Sequence, residues 1–227
     1  LPARRCSQSC LEINVPELLL FLQSAVITCL VSVTGCAIGI PLGLAIAVGR
    51  VRKVVALSPA LAVYVSFIRS LPLVLFVMLF YFGLPMLGVN LNPYVAGILA
   101  LALNNAAFSS EIWRGAIVDF PIEQLDAARA FGMTKKQAFW RIMLPQVWRA
   151  SVTPIISEIT LLIKASPAIG IIGVNDLTRR ASALAASNFE PLKMLLIATL
   201  LYMIVILAIT QIGRRVEHRL HNQYELV

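Results

Sequence analysis

Four ionisable side chains, Arg69, Glu111, Glu158 and Lys164, lie within or beside stretches that are otherwise apolar. A charge at the centre of a bilayer costs at least about 2.5–3.5 kcal/mol on insertion scales, so each must meet a partner, a cavity or an interface. Two chemistries fit. One is internal ion pairing. Glu111 and Arg114 are three residues apart, the spacing that brings side chains together on one helical face, and they read as a structural ion pair. The other is recognition of a charged solute. One acid and one base near the midplane would complement a molecule carrying both an ammonium and a carboxylate. Glu158, Lys164 and Arg69 are the candidates for such a pathway. Glu158 and Lys164 lie about 120° apart around a helix and do not share one narrow face. Arg69 has two options, pairing with Glu158 or meeting a solute carboxylate.

A second group of residues is suited to docking. Residues 123–144 read E-Q-L-D-A-A-R-A-F-G-M-T-K-K-Q-A-F-W-R-I-M-L and precede Pro145. This is the longest charged segment in the chain, and the pattern is two short helices around a glycine corner. Pro121 is tolerated in a first turn. Gly132 stands where a helix end wants a left-handed residue. Thr134 and Gln137 have the spacing of a capping box that opens the second helix. Pro145 marks the end of that helix or a bend into the next element.

The elements that position these residues follow from composition. The chain has 227 residues, 59% hydrophobic and 13% charged. Globular domains carry about 25% charged residues, so the chain reads as an all-α membrane protein. Five apolar spans are expected, near 18–49, 56–82, 93–113, 152–174 and 191–213, each long enough to cross a bilayer. Pro72 falls inside the second span and predicts a kink. Gly83, Pro85, Gly88, Asn90, Asn92 and Pro93 mark the break before the third. Gly35, Gly39 and Gly43 recur at i+4 on one stripe of the first span. That spacing suits close helix approach in lipid, and it equally suits ordinary membrane glycine usage. Between the last two spans, Asn175 or Asp176 is placed to cap a short amphipathic helix with Leu177, Ala181 and Leu184 on one side. Residues 1–17 read as an N-terminal tail, 18–213 as the membrane domain with its polar segment at 119–145, and 214–227 as a C-terminal tail. The span that begins near residue 18 is too long for the apolar core of a cleavable signal peptide and reads as a retained helix.

Charge settles the expected orientation. The net charge is +8, but the basic residues cluster between spans, which is a topology pattern and not a nucleic-acid face. With the N-terminus outside, the inner segments hold twelve basic residues and the outer ones five. The polar segment is then cytoplasmic. No Cys/His spacing suits a metal, so no metal ligands are expected. Cys29 and Cys36 read as small apolar membrane residues. Cys6 and Cys10 can pair only if they face an oxidising compartment. No G-x-x-x-x-G-K-[ST] phosphate loop is present, so the chain is not expected to be an enzyme or to bind nucleotide itself.

Asp126-Ala127-Ala128, then Gly132, then Ile142-Met143-Leu144-Pro145 resembles the EAA loop of bacterial ABC importer permeases, with identical spacing and Asp in place of the usual Glu. Phe67-Ile-Arg69-Ser-Leu-Pro72, Ser110-Glu111-Ile-Trp-Arg114-Gly115, Leu161-Leu-Ile-Lys164 and Ile172-Gly173-Val-Asn-Asp-Leu-Thr-Arg179-Arg180-Ala181 are similar to the histidine/glutamine/arginine/opine subfamily. The resemblance covers roughly residues 18–213. It implies five helices of the type I permease fold and a second permease subunit, identical or different. It implies a cytoplasmic ATPase dimer that carries ATP and Mg, and a periplasmic binding protein that delivers a polar amino acid or an opine-like derivative. The location implied is the bacterial inner membrane. Asp126, Ala127, Ala128, Gly132, Leu144 and Pro145 would form the ATPase-coupling surface. The chain departs from the family after Lys164, where Ala165, Ser166 and Pro167 replace the frequent Asp-Thr-Ser. Without the resemblance, an ion-gradient-driven secondary transporter or channel and a non-transporting membrane scaffold remain open.

Overall fold

The structure is a computed structural model that describes residues 15–52 and 57–222, with side chains to residue 218 in the last helix. The expectations for Cys6, Cys10 and residues 1–14 of the tail lie outside the described residues. Nine α-helices and no strands are present among those residues: α1 Val15–Val51, α2 Leu57–Ser70, α3 Leu73–Gly83, α4 Pro93–Val118, α5 Ile122–Ala130, α6 Lys135–Ala138, α7 Leu144–Ala165, α8 Leu177–Asn188 and α9 Pro191–Asn222. Four helical stretches are long and apolar enough to cross a membrane, and the bent α2–α3 pair makes a fifth if it counts as one span.

The centre of the bundle is the seam between α1 and α4. The glycine stripe faces it. A Cβ on Gly39 would lie 2.7 Å from the Ala102 carbonyl oxygen and 2.7 Å from Asn105 Oδ1. One on Gly43 would lie 2.1 Å from Ser109 Oγ and 2.9 Å from the Ala106 carbonyl. Here the glycines are required by close approach, and α4 answers with Ala102, Asn105, Ala106 and Ser109, all buried. In lipid no hydrophobic force drives two apolar helices together, so this dispersion packing and the hydrogen bonds across it hold the pair. Trp113 Nε1 donates to the Ile40 carbonyl at 3.2 Å, and Ser109 Oγ to the Gly39 carbonyl at 3.4 Å.

The second span is not one kinked helix. It breaks at Leu71–Pro72 into α2 and α3, which lie at 112°. Proline bars the α conformation from the residue before it and offers no N–H to a preceding turn. Pro72 instead takes φ −58° and ψ 130° and opens α3, its carbonyl accepting from Phe76 N at 3.0 Å.

The fourth span also differs in extent. Helical structure begins at Lys135, passes through a π-helical turn at Phe139–Met143, and continues through α7 to a 3₁₀ turn at Ser166–Gly170. Pro145 therefore ends nothing. It sits in the first turn of α7, where the shifted register of the π turn accommodates its missing N–H.

Asp176 caps α8, accepting from Thr178 N and Arg179 N, both at 3.1 Å. Leu177 and Ala181 are buried, with Leu184 packed beside them, against Phe21 of α1 and Met194 of α9. Burial pushes the Asp176 carboxyl above its ordinary range, and the backbone N–H groups of Arg179 and Thr178 pull the other way. A carboxyl raised in the fold adds stability that is full below its unfolded pKa, about 3.9, and is lost as pH rises through the folded value. Asp176→Asn keeps the cap and removes the titration. Thermal unfolding in detergent should therefore show wild type gaining on Asp176→Asn as pH falls from neutral toward about 4. A pH-independent gap would count against this account. Asp176→Ala should cost about 1 kcal/mol at either end of that range through loss of the cap.

Candidate coupling surface and membrane cleft

The polar segment folds as two short helices around a glycine corner. Gly132 has φ +75°. Its N–H bonds the Arg129 carbonyl at 2.9 Å, and Met133 N bonds the Ala128 carbonyl at 3.0 Å. That pair of bonds is the Schellman ending, which satisfies the last carbonyls of α5. The capping box at α6 is complete. Gln137 N donates to Thr134 Oγ1 at 3.3 Å, and Thr134 N donates to Gln137 Oε1 at 2.9 Å.

The six coupling residues do not share one environment. Asp126, Ala127, Gly132 and Pro145 are exposed, Leu144 is half-buried, and Ala128 is buried against the chain itself. Asp126 pairs with Arg129 at 2.8 Å, both side chains more than half exposed, so the pair contributes little to stability. Ile122, on the apolar side expected of the first helix, is 63% exposed. Around the corner stand two large aromatic side chains that sequence reasoning did not single out, Phe131, 88% exposed, and Trp140, 58%. Their signal was adjacency to the glycine and to the capping box. Gln146 Nε2 donates to Gln124 Oε1 at 2.8 Å and ties α5 to α7.

The charged residues within the spans divide into two sites. Glu111 and Arg114 pair at 2.8 Å, as their spacing predicts. Arg50 of α1 joins them and donates to Glu111 Oε1, a partner 61 residues away in sequence. The second site is a cleft of about 190 Å³ lined by Glu158, Asn104, Phe108, Leu73, Leu161 and Ala165, among others. Asn104 was also missed. Its signal was an amide pair, Asn104-Asn105, in the middle of an apolar span. Arg69 makes no ion pair with Glu158. Its guanidinium lies over the Phe108 ring, 5.4 Å from the centroid, and Phe108 also lines the cleft that holds Glu158. Lys164 is exposed at the end of α7 and does not line this cleft.

One helical rod, Lys135–Gly170, links the two regions. It starts beside the exposed corner and carries Glu158 into the bundle, about 35 Å further on at helical rise. A helical bundle with an ionisable cleft in its spans and an exposed, stiffly mounted corner at one end defines a membrane-spanning transport permease.

Residues 39–222 match the family described as binding-protein-dependent transport system inner membrane component, and the chain belongs to it. It is 33% identical over 210 residues to the arginine transport system permease protein ArtQ of Bacillus subtilis, covering 92% of this chain and 96% of that one. It is 32% identical to the probable glutamine ABC transporter permease protein GlnM of the same organism, over 87% of this chain and 91% of that one. Among solved structures, a crystal structure of an amino acid ABC transporter with histidines superposes with TM-score 0.82 and 26% identity, covering 92% of this chain and 99% of the other. An inward-facing form of the MetNI methionine ABC transporter gives TM-score 0.73 at 21% identity, which shows the shared fold. The architecture is the type I ABC importer permease fold, in a multi-pass protein of the inner membrane.

Proposed function

We propose that this permease imports a polar amino acid or a close derivative, handed over by a periplasmic binding protein, and is driven by ATP hydrolysis on separate cytoplasmic ATPase subunits. The observation that carries the reading is the rod Lys135–Gly170, which joins an exposed docking corner to the Glu158 cleft without a break. A partner that moves the corner moves the cleft, because helix and corner are fastened by capping and by the Gln146–Gln124 bond. Nucleotide and magnesium belong to the partner, since the sequence offers no phosphate loop. Asp126, Ala127 and Gly132 meet the ATPase directly. Ala128 supports them from beneath, and Leu144 and Pro145 open α7 within the rod. Glu158, in the cleft, faces the solute ammonium, and Arg69, over the Phe108 ring that lines it, faces the carboxylate. The amino-acid transport named for the relatives supports the substrate class. The permease acts as one of two membrane subunits, with its N-terminus outside and its C-terminus cytoplasmic.

The test is reconstitution. The chain is expressed with an ATPase and a binding protein of an amino-acid ABC importer and placed in liposomes. Uptake of labelled arginine, histidine and glutamine is then measured with and without internal ATP. The expected result is co-purification of the ATPase and accumulation of at least one of these solutes only with ATP. Uptake that follows an ion gradient and ignores ATP would replace this reading with a secondary transporter.

A further inference from the structure

At the same end as the docking corner, α1, α2 and α4 enclose a cleft of about 280 Å³ lined by Arg50, Val51, Ser58, Ala62, Arg114 and Val118. Its polar wall is two guanidinium groups that share one carboxylate, Glu111. Arg114 spends Nε and Nη2 on that carboxylate, and Arg50 spends Nη1. The remaining guanidinium N–H groups have no acceptor among the described residues, and the Arg114 side chain is 38% exposed. Arg52, exposed in the turn after α1, adds a further cation without an ion pair among the described residues. The wall therefore carries excess positive charge. The mouth is the opposite in character. Val118 is 60% exposed and Val51 37%, so hydrocarbon borders the cations directly.

We infer that this cleft binds the phosphodiester headgroup of an anionic phospholipid, with Arg114 and Arg50 on the phosphate oxygens and an acyl chain along Val118 and Val51. The guanidinium fork matches phosphate oxygens, and a basic cleft between spanning helices at the membrane surface is where such a headgroup gains from both charge and burial. A free inorganic anion would satisfy the arginines and leave the valines bare. A zwitterionic phospholipid would bring its own cation to a wall that already has too many. The inference stands apart from the transported solute and from the energy source, because it uses only the fold and its place in a membrane.

The experiment is native mass spectrometry of the full-length chain in detergent, titrated with phosphatidylglycerol and separately with phosphatidylcholine. Phosphatidylglycerol should be retained at least about fivefold more strongly, the gain expected from one well-placed basic residue. Ala62→Trp fills the cleft and leaves every charge in place, and it should abolish the preference. Arg114→Gln, checked for folding by thermal unfolding, should weaken retention about fivefold. Millimolar inorganic phosphate should not displace the lipid. Equal retention of the two lipids would overturn the proposal. So would unchanged retention in Ala62→Trp or in folded Arg114→Gln, or displacement by inorganic phosphate.

Discussion

Gly39→Val should leave no correctly folded protein. The position has no room at all. The first carbon of any side chain would stand 2.7 Å from the Ala102 carbonyl oxygen, 2.7 Å from Asn105 Oδ1 and 2.8 Å from Asn105 Cβ. The carbonyl belongs to the α4 backbone, so relief requires α1 and α4 to move apart along their length. Adding methylenes to a packed core commonly costs about 1–3 kcal/mol. Valine adds three carbons where the first already clashes, and the seam it opens is the most extensive helix pairing among the described residues. Separation would also lengthen the bonds from Trp113 to Ile40 and from Ser109 to Gly39. Lipid offers no compensating hydrophobic force, because a separated apolar helix is equally well solvated there. Size-exclusion profile and thermal unfolding in detergent read the outcome. Gly115→Ala is the control, because that glycine is also helical but a Cβ there meets nothing within 4 Å. It should unfold at or slightly above the wild-type temperature, through helix propensity. A monodisperse Gly39→Val protein of wild-type stability would remove the seam from its central place.

The seam also shows what a sequence can and cannot disclose. The i+4 glycine stripe was legible, but its meaning was not. Membrane helices use glycine freely, so the stripe alone left packing and ordinary usage equally open. What decides is the matching row on α4, where Ala102, Asn105, Ala106 and Ser109 stand about 65 residues away in sequence. No local rule connects the two rows. The same distance hid Arg50. Arg50 falls just past the first expected span, 18–49, and nothing near it in sequence points to Glu111, whereas the spacing of Glu111 and Arg114 pairs those two. Two of the three members of the triad were local, and the third came from another helix.

From sequence, Pro72 predicts only a kink, because proline inside an apolar span is tolerated in lipid. The 112° turn it makes needs Phe76 and Val77 of α3 buried in the core beside Ile68 of α2. That packing is tertiary and has no mark in the residues around the proline. The π turn at Phe139–Met143 was likewise hidden, and with it the continuity of the rod. The coupling segment was the opposite case. Its corner, its capping box and the cap of α8 are backbone rules that act within four residues, so types and spacing sufficed. The charged cleft stands between these extremes. Glu158 and Arg69 are legible as costly charges, but the Phe108 ring that Arg69 covers and that lines the Glu158 cleft comes from α4, a third element.

Gly132→Val should leave the protein in the membrane and stop transport. The two effects separate because the constraints at Gly132 are of one kind. A Cβ there meets nothing within 4 Å, so the chain itself offers no clash. The residue sits at φ +75°, where a left-handed conformation costs an L-amino acid about 1–2 kcal/mol and a β-branched one more. Relief of that strain would undo the bonds from Gly132 N to Arg129 and from Met133 N to Ala128, and α5 would no longer leave the rod at its present angle. The bundle, whose core lies elsewhere, would remain folded. Thermal unfolding should change little, while ATP-dependent uptake in the reconstituted system should fall to background. Gly132→Asn separates the two reasons a glycine can be needed. Asparagine enters the left-handed region far more readily than valine. If the corner acts through its backbone angle alone, Gly132→Asn should recover most of the uptake. If the docked ATPase lies against the glycine itself, Asn should fail as Val does, although the corner is correctly bent. Wild-type uptake in Gly132→Val would mean that the corner does not transmit force, and the coupling role assigned to residues 119–145 would fall with it.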